Sequence, residues 1–121
     1  ILAGAAWLRD GEKQLVLQPQ TKEALLRRRL WGNGFAITRE RGVEAGRFAY
    51  TVMTARYCGI RREADEWEAL VGLLPKETDA GSRAVLRRLA RRLRRAGEGA
   101  RDERLLEWAA RLETLIGGKN P

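Results

Sequence analysis

The stretch from Arg83 to Arg95 reads R-A-V-L-R-R-L-A-R-R-L-R-R, and seven of its thirteen residues are arginine. They are Arg83, Arg87, Arg88, Arg91, Arg92, Arg94 and Arg95, and no acid lies between Asp79 and Glu98. Wound as a helix at about 100° per residue, the stretch splits into two sides. Leu86, Leu89, Leu93, Val85, Ala90 and Ala96 share one side, and the arginines take the other with Ala84 among them. A chain with such an element must bury a leucine seam and hold guanidinium groups toward water or a partner. Arginines four apart (Arg83, Arg87, Arg91, Arg95) repel one another along a helix. An anionic partner offsets that cost, so the spacing points to a binding surface.

The rest of the chain reads as further helices. Ile1 to Arg9 is expected to be a short helix closed by Asp10-Gly11. Gln14 to Gln18 is read as either a short strand or an extended lead-in to Pro19. Thr21 is an N-cap candidate for a helix carrying Leu25, Leu26, Leu30 and Trp31, stopped by Gly32-Asn33-Gly34. Thr38 caps an expected helix over 39–58, with Ala45, Phe48, Ala49, Val52 and Ala55 as its apolar face. Arg62 to Leu74 is expected to be an acidic helix with Trp67, Leu70, Val71 and Leu74 inward. Thr78 or Asp79 caps the arginine helix, and Gly97-Glu98-Gly99 connects it to a last helix over 102–116. So short a connection makes the last two helices antiparallel. The expected fold class is therefore all-α, a compact bundle of about five or six helices ending in an antiparallel helical hairpin. At 121 residues it reads as one domain, 1–121. A start at Ile1 also fits the C-terminal part of a longer polypeptide.

The net charge of +8 is unevenly spread: +5 over 1–59, −3 over 60–79, +6 over 80–98 and zero beyond. A directed basic field suits phosphate backbones, anionic membranes or acidic protein surfaces. No apolar run approaches the roughly 18–20 residues a membrane span needs, so a cytoplasmic protein without a membrane partner is expected. Arginine outnumbers lysine 20 to 4, which favours bidentate phosphate contact, although GC-rich codons or adaptation to heat give the same bias.

Groups that move protons are scarce. Histidine is absent, Ser82 is the single serine, and Cys58 is the single cysteine. Without histidine a zinc site or a thiolate pair lacks its usual partner, and Cys58 reads as a buried small apolar residue. Glu63, Asp65, Glu66 and Glu68 read as a solvated acidic face. The expectation is thus no enzyme, no catalytic residue, no cofactor and no metal. Ala55, Gly59, Ile60 and Trp67 have the spacing of a helix-turn-helix, but its reading helix would be the acidic one, which phosphates repel.

Nucleic-acid contact is assigned to Arg83, Arg87, Arg88, Arg91, Arg92, Arg94 and Arg95, with Arg27, Arg28 and Arg29 as a second zone. The partner is an RNA or DNA backbone, together with other protein subunits or copies of the chain. In size, helix content and basic face the chain resembles the small helical subunits of CRISPR effector complexes. That resemblance implies a non-enzymatic ribonucleoprotein scaffold that stabilises a target or displaced strand. Two other readings stay open: an adaptor that docks an acidic protein or a second copy through the basic helix, and a helix-turn-helix regulator.

Overall fold

A computed structural model describes residues 13–19 and 22–117. The expected first helix and the Thr21 cap lie outside these residues. The elements run β1 (Gln14–Leu17), α1 (Glu23–Gly32), β2 (Phe35–Ala45), β3 (Phe48–Tyr57), α2 (Glu66–Val71), α3 (Ala80–Ala100) and α4 (Glu103–Gly117). A 3₁₀ turn, Leu74–Lys76, stands between α2 and α3.

The fold is not all-α. The stretch expected as a helix over 39–58 is a long β-hairpin, and β1 joins it to make an antiparallel sheet of order β1-β3-β2. Two local features decide this. Thr51, Met53 and Ala55 are buried while Val52, Thr54 and Arg56 are not, which is the period of two of a strand. Gly46 has φ +59, and the loop from Ala45 to Phe48 has only two central residues. Glycine first in a two-residue loop closes hairpins whose twist matches their strands. A bulge between Ile37 and Arg39 shifts the register once.

One face of this sheet carries the first core. Leu30, Phe35 and Ala55 are buried, with Leu15, Leu17, Leu26, Ile37 and Tyr57 packed around them. The ring of Phe35 meets that of Tyr57 edge to face at 5.4 Å. A second core lies between α3 and α4, where Leu86, Leu89, Leu93, Ala109 and Leu112 bury against Val71 and Leu74. The antiparallel hairpin of α3 and α4 is present as expected, but its turn is displaced. Asp79 caps α3, its carboxylate accepting from Ser82 N–H at 3.1 Å. The helix then runs through Gly97-Glu98-Gly99 to Ala100, and Arg101 turns the chain at φ +53. Glycine is needed at Gly97 because Leu106 lies against it: a Cβ there would come within 2.8 Å of the leucine Cγ. The acidic helix is shorter than expected, six residues from an Asp65 cap. Cys58 is exposed, not buried. Trp31 is buried, and Trp67 and Trp108 meet at 6.4 Å over the second core.

Two contacts fasten the cores to each other. Arg27 of α1 is 1 % exposed and Glu40 of β2 is equally buried. The guanidinium pairs with the carboxylate at 2.6 Å and donates to the carbonyls of Ala69 (2.7 Å) and Leu70 (2.8 Å) at the end of α2. Glu40 also accepts from Leu73 N–H at 3.2 Å. Farther along β2, Gly42 donates its N–H to Ser82 Oγ at 2.8 Å. Here the strand and the start of α3 touch backbone to backbone. A Cβ on Gly42 would lie 2.5 Å from Ser82 Cα and 2.6 Å from Gly81 O. Among the described residues no helix is long and apolar enough to cross a membrane.

Removing one partner of a buried ion pair strands the other, at about 3–5 kcal/mol. Urea unfolding followed by circular dichroism is expected to show a loss of that size in R27M, with the double variant R27M/E40L recovering much of it. For G42A, the backbone clash with Gly81 and Ser82 is expected to cost about 1–3 kcal/mol, read as a lowered Tm.

Candidate nucleic-acid interface

The heptad-like leucines of α3 are drawn onto α4, so the arginines between them face outward. Arg88, Arg91, Arg92 and Arg95 together line a hollow of about 510 Å³. All four are exposed, and none is ion-paired among the described residues. Arg87 is exposed beside them. Guanidinium groups one helical turn apart, with no carboxylate in their hollow, form a concentrated positive potential.

The other expected contact residues divide. Arg94 is taken by α4: its Nε donates to Glu113 at 2.9 Å. Arg83 is half-buried and donates to the carbonyl of Ile116 at 3.4 Å, near the end of α4. In the second zone, Arg27 is almost wholly buried, held inside by Glu40 and the α2 carbonyls, and does not extend the nucleic-acid track as expected. Arg28 lines a separate hollow with Trp31, Arg62 and Glu63, and Arg29 is exposed. Arg62 lies over the Trp31 ring at 4.4 Å. Neither Arg28 nor Arg29 joins the hollow on α3.

A second cavity, of about 350 Å³, opens next to the first and shares Arg88 and Arg92 with it. It lies between the first turn of α1, the middle of β3 and α3, with Lys22, Ala49 and Thr51 in its lining. Sequence reasoning missed Lys22 and Thr51. The alternation along 51–56 was the signal that could have placed Thr51 on an inward sheet face. Among the described residues no group of histidine, cysteine and acidic side chains is placed to hold a metal ion.

Two carboxylates beside the basic helix are held below their ordinary range. Arg94, by hydrogen bond and charge, lowers Glu113. Hydrogen bonds from Ser82 lower Asp79, with Arg41 adding its charge at 3.8 Å. A depressed carboxylate favours the fold above its unfolded pKa, and that contribution is lost as pH falls through its folded value.

The comparisons with known proteins identify the setting of this face. Residues 1–109 match the family model of TrmK, tRNA (adenine(22)-N(1))-methyltransferase. The chain belongs to the TrmK family. Solved structures agree on the fold. The TrmK m1A22 tRNA methyltransferase of B. subtilis superposes with a TM-score of 0.62 at 24% identity, over 88% of this chain and 51% of that one. A Streptococcus pneumoniae protein, provisionally described as a tRNA (m1A22) methyltransferase and solved with S-adenosyl-L-methionine, gives 0.68 at 22% identity, over 86% and 47%. A Streptococcus agalactiae protein of the NADB-Rossmann superfamily gives 0.67 at 20% identity, over 95% and 52%. The chain thus spans about half the length of each of these structures. No curated protein sequence matches it.

Membership in the TrmK family overturns the resemblance to CRISPR effector subunits and the reading of a non-enzymatic scaffold or adaptor, since this is a family of enzymes. The helix-turn-helix alternative fails on the fold as well, because Ala55 lies in β3.

A side-chain carboxyl NMR titration is expected to find Glu113 titrating below a free glutamate in the wild type. In R94Q it should move back up toward the ordinary value, and an unmoved midpoint would show that Arg94 is not the cause.

Proposed function

We propose that this chain is the RNA-engaging portion of a tRNA (adenine-N1)-methyltransferase and that α3 holds the phosphate backbone of the tRNA. One observation carries the reading: Arg88, Arg91, Arg92 and Arg95 converge on a single hollow without an acid in it. TrmK family membership supplies the substrate class. A helix of 21 residues at 1.5 Å rise is roughly 30 Å long, enough to follow several phosphates along one strand. Contacts of this kind position the substrate and carry no sequence information. The choice of nucleotide must then come from elsewhere in the enzyme.

S-adenosyl-L-methionine, present in the S. pneumoniae structure, carries a cationic sulfonium and an ammonium group. The hollow on α3 is lined by arginine alone, which repels both charges and does not fit that group. The part read for this hollow is to orient the RNA.

The test is tRNA binding by the full-length protein, followed by fluorescence anisotropy at several salt concentrations. R91E/R95E is expected to weaken tRNA binding at least tenfold and to flatten the salt dependence, because fewer counterions are released. N1-methylation of adenosine 22 should fall through a raised KM, with kcat little changed. Equal affinity of the folded variant and the wild type would refute the assignment.

A further inference from the structure

The cavity beside the arginine hollow has features that phosphate contact does not use. Its floor is the inward face of β3, where Ala49 and Thr51, two residues apart on one strand, both line it. Thr51 is fully buried, and its hydroxyl has no hydrogen-bond partner among the described residues. A buried hydroxyl without a partner costs about 1–3 kcal/mol, so a group that meets it is favoured. Leu70, Leu74, Val85 and Leu89 supply apolar lining, and the buried Arg27 also borders the cavity. The rim is polar and mixed in sign: Lys22, Arg88 and Arg92 supply cations, and Glu23 supplies an acceptor. Lys22 reaches this rim from a left-handed backbone (φ +60) that opens α1 without a side-chain cap. An inorganic anion needs neither apolar walls nor an acceptor. A flat, partly polar group attached to a phosphate uses all three parts. About 350 Å³ is at the small end of ligand sites and suits one nucleotide.

We infer that this cavity holds one unstacked nucleotide of the RNA substrate, with its phosphate on Arg88 and Arg92, its base between Leu70 and Leu89, and its polar edge on Thr51. The inference rests on the proposed function, which supplies the RNA. Single-stranded RNA is commonly read by splaying out one base into an apolar slot and hydrogen-bonding its edge. The site is built on α1, α2, β3 and α3, held together by the Arg27–Glu40 pair and the Gly42–Ser82 contact, so it is preformed. It would grip the strand at a fixed register, where the neighbouring hollow only attracts it.

The experiment titrates AMP, GMP, CMP and UMP in turn, and inorganic phosphate separately, into the full-length protein, with amide NMR shifts reporting both binding and the intact fold. At least one nucleotide is expected to bind tenfold or more tightly than phosphate. R88Q/R92Q should weaken it about tenfold. T51V, which keeps the shape and removes the hydroxyl, should weaken it threefold or more, and T51S should retain wild-type affinity. R91E/R95E reports on the arginine hollow, where tRNA binding should fall. Nucleotides no tighter than phosphate would reduce the cavity to an anion site and overturn the inference, as would a folded T51V with wild-type affinity. Either result, together with weakened tRNA binding in R91E/R95E, overturns the cavity alone. Unchanged tRNA binding in that variant overturns the proposed function instead.

Discussion

The buried pair of Arg27 and Glu40 is the contact on which the arrangement depends. The sheet with α1 forms one apolar core, and α3 with α4 forms another. Neither core contains the residues that join them. Arg27 leaves α1, binds the acid of β2, and ends on two carbonyls of α2 that the helix itself cannot satisfy. Glu40 uses its second oxygen on Leu73 N–H just beyond α2. The pair thus fixes the segment that leads from the sheet into the hairpin. Gly72 is required there for a local reason: at φ +54 a Cβ would fall 2.0 Å from Glu40 Oε2. A buried ion pair contributes little net stability over an apolar replacement. Its directional bonds nonetheless specify one seating of the two cores.

The legible part of the fold was the part with a helical period and clear ends. The leucines of α3 and α4 point to their shared seam, Asp79 marks the cap, and Gly32-Asn33-Gly34 marks the end of α1. The hairpin was illegible for a specific reason. Ala45, Phe48, Ala49, Val52 and Ala55 fall three or four apart and mimic a helical face. In the sheet they split, and Phe48 is 72 % exposed at the hairpin end. Gly42 and Gly46, both inside the stretch expected as a helix, are a close strand–helix contact and a turn. The family was illegible because no stretch of the sequence reads as a reaction motif.

The arginines show how one residue type is divided by its surroundings. Arg27, Arg28 and Arg29 are adjacent in sequence, yet one is an interior brace and two are surface charges. Along α3, Arg83 and Arg94 tie the helix to α4, while Arg88, Arg91, Arg92 and Arg95 remain without ion partners among the described residues. The unpaired set occupies the middle and outer part of the helix. The tied residues fasten the helix to α4, so the free arginines share a common backbone support.

That layout makes α3 a lever with a fulcrum at one end. The first turn is seated on β2 through Gly42, Gly81 and Ser82, backbone close against backbone and tied by the Ser82 hydroxyl. The helix then extends for 21 residues, and its far end turns at Arg101. Over a length of roughly 30 Å, a rotation of about 5° at the fulcrum moves the tip by about 3 Å. That is about half the rise between neighbouring phosphates on an extended strand. The smallest residues in the chain therefore set the aim of its largest charges.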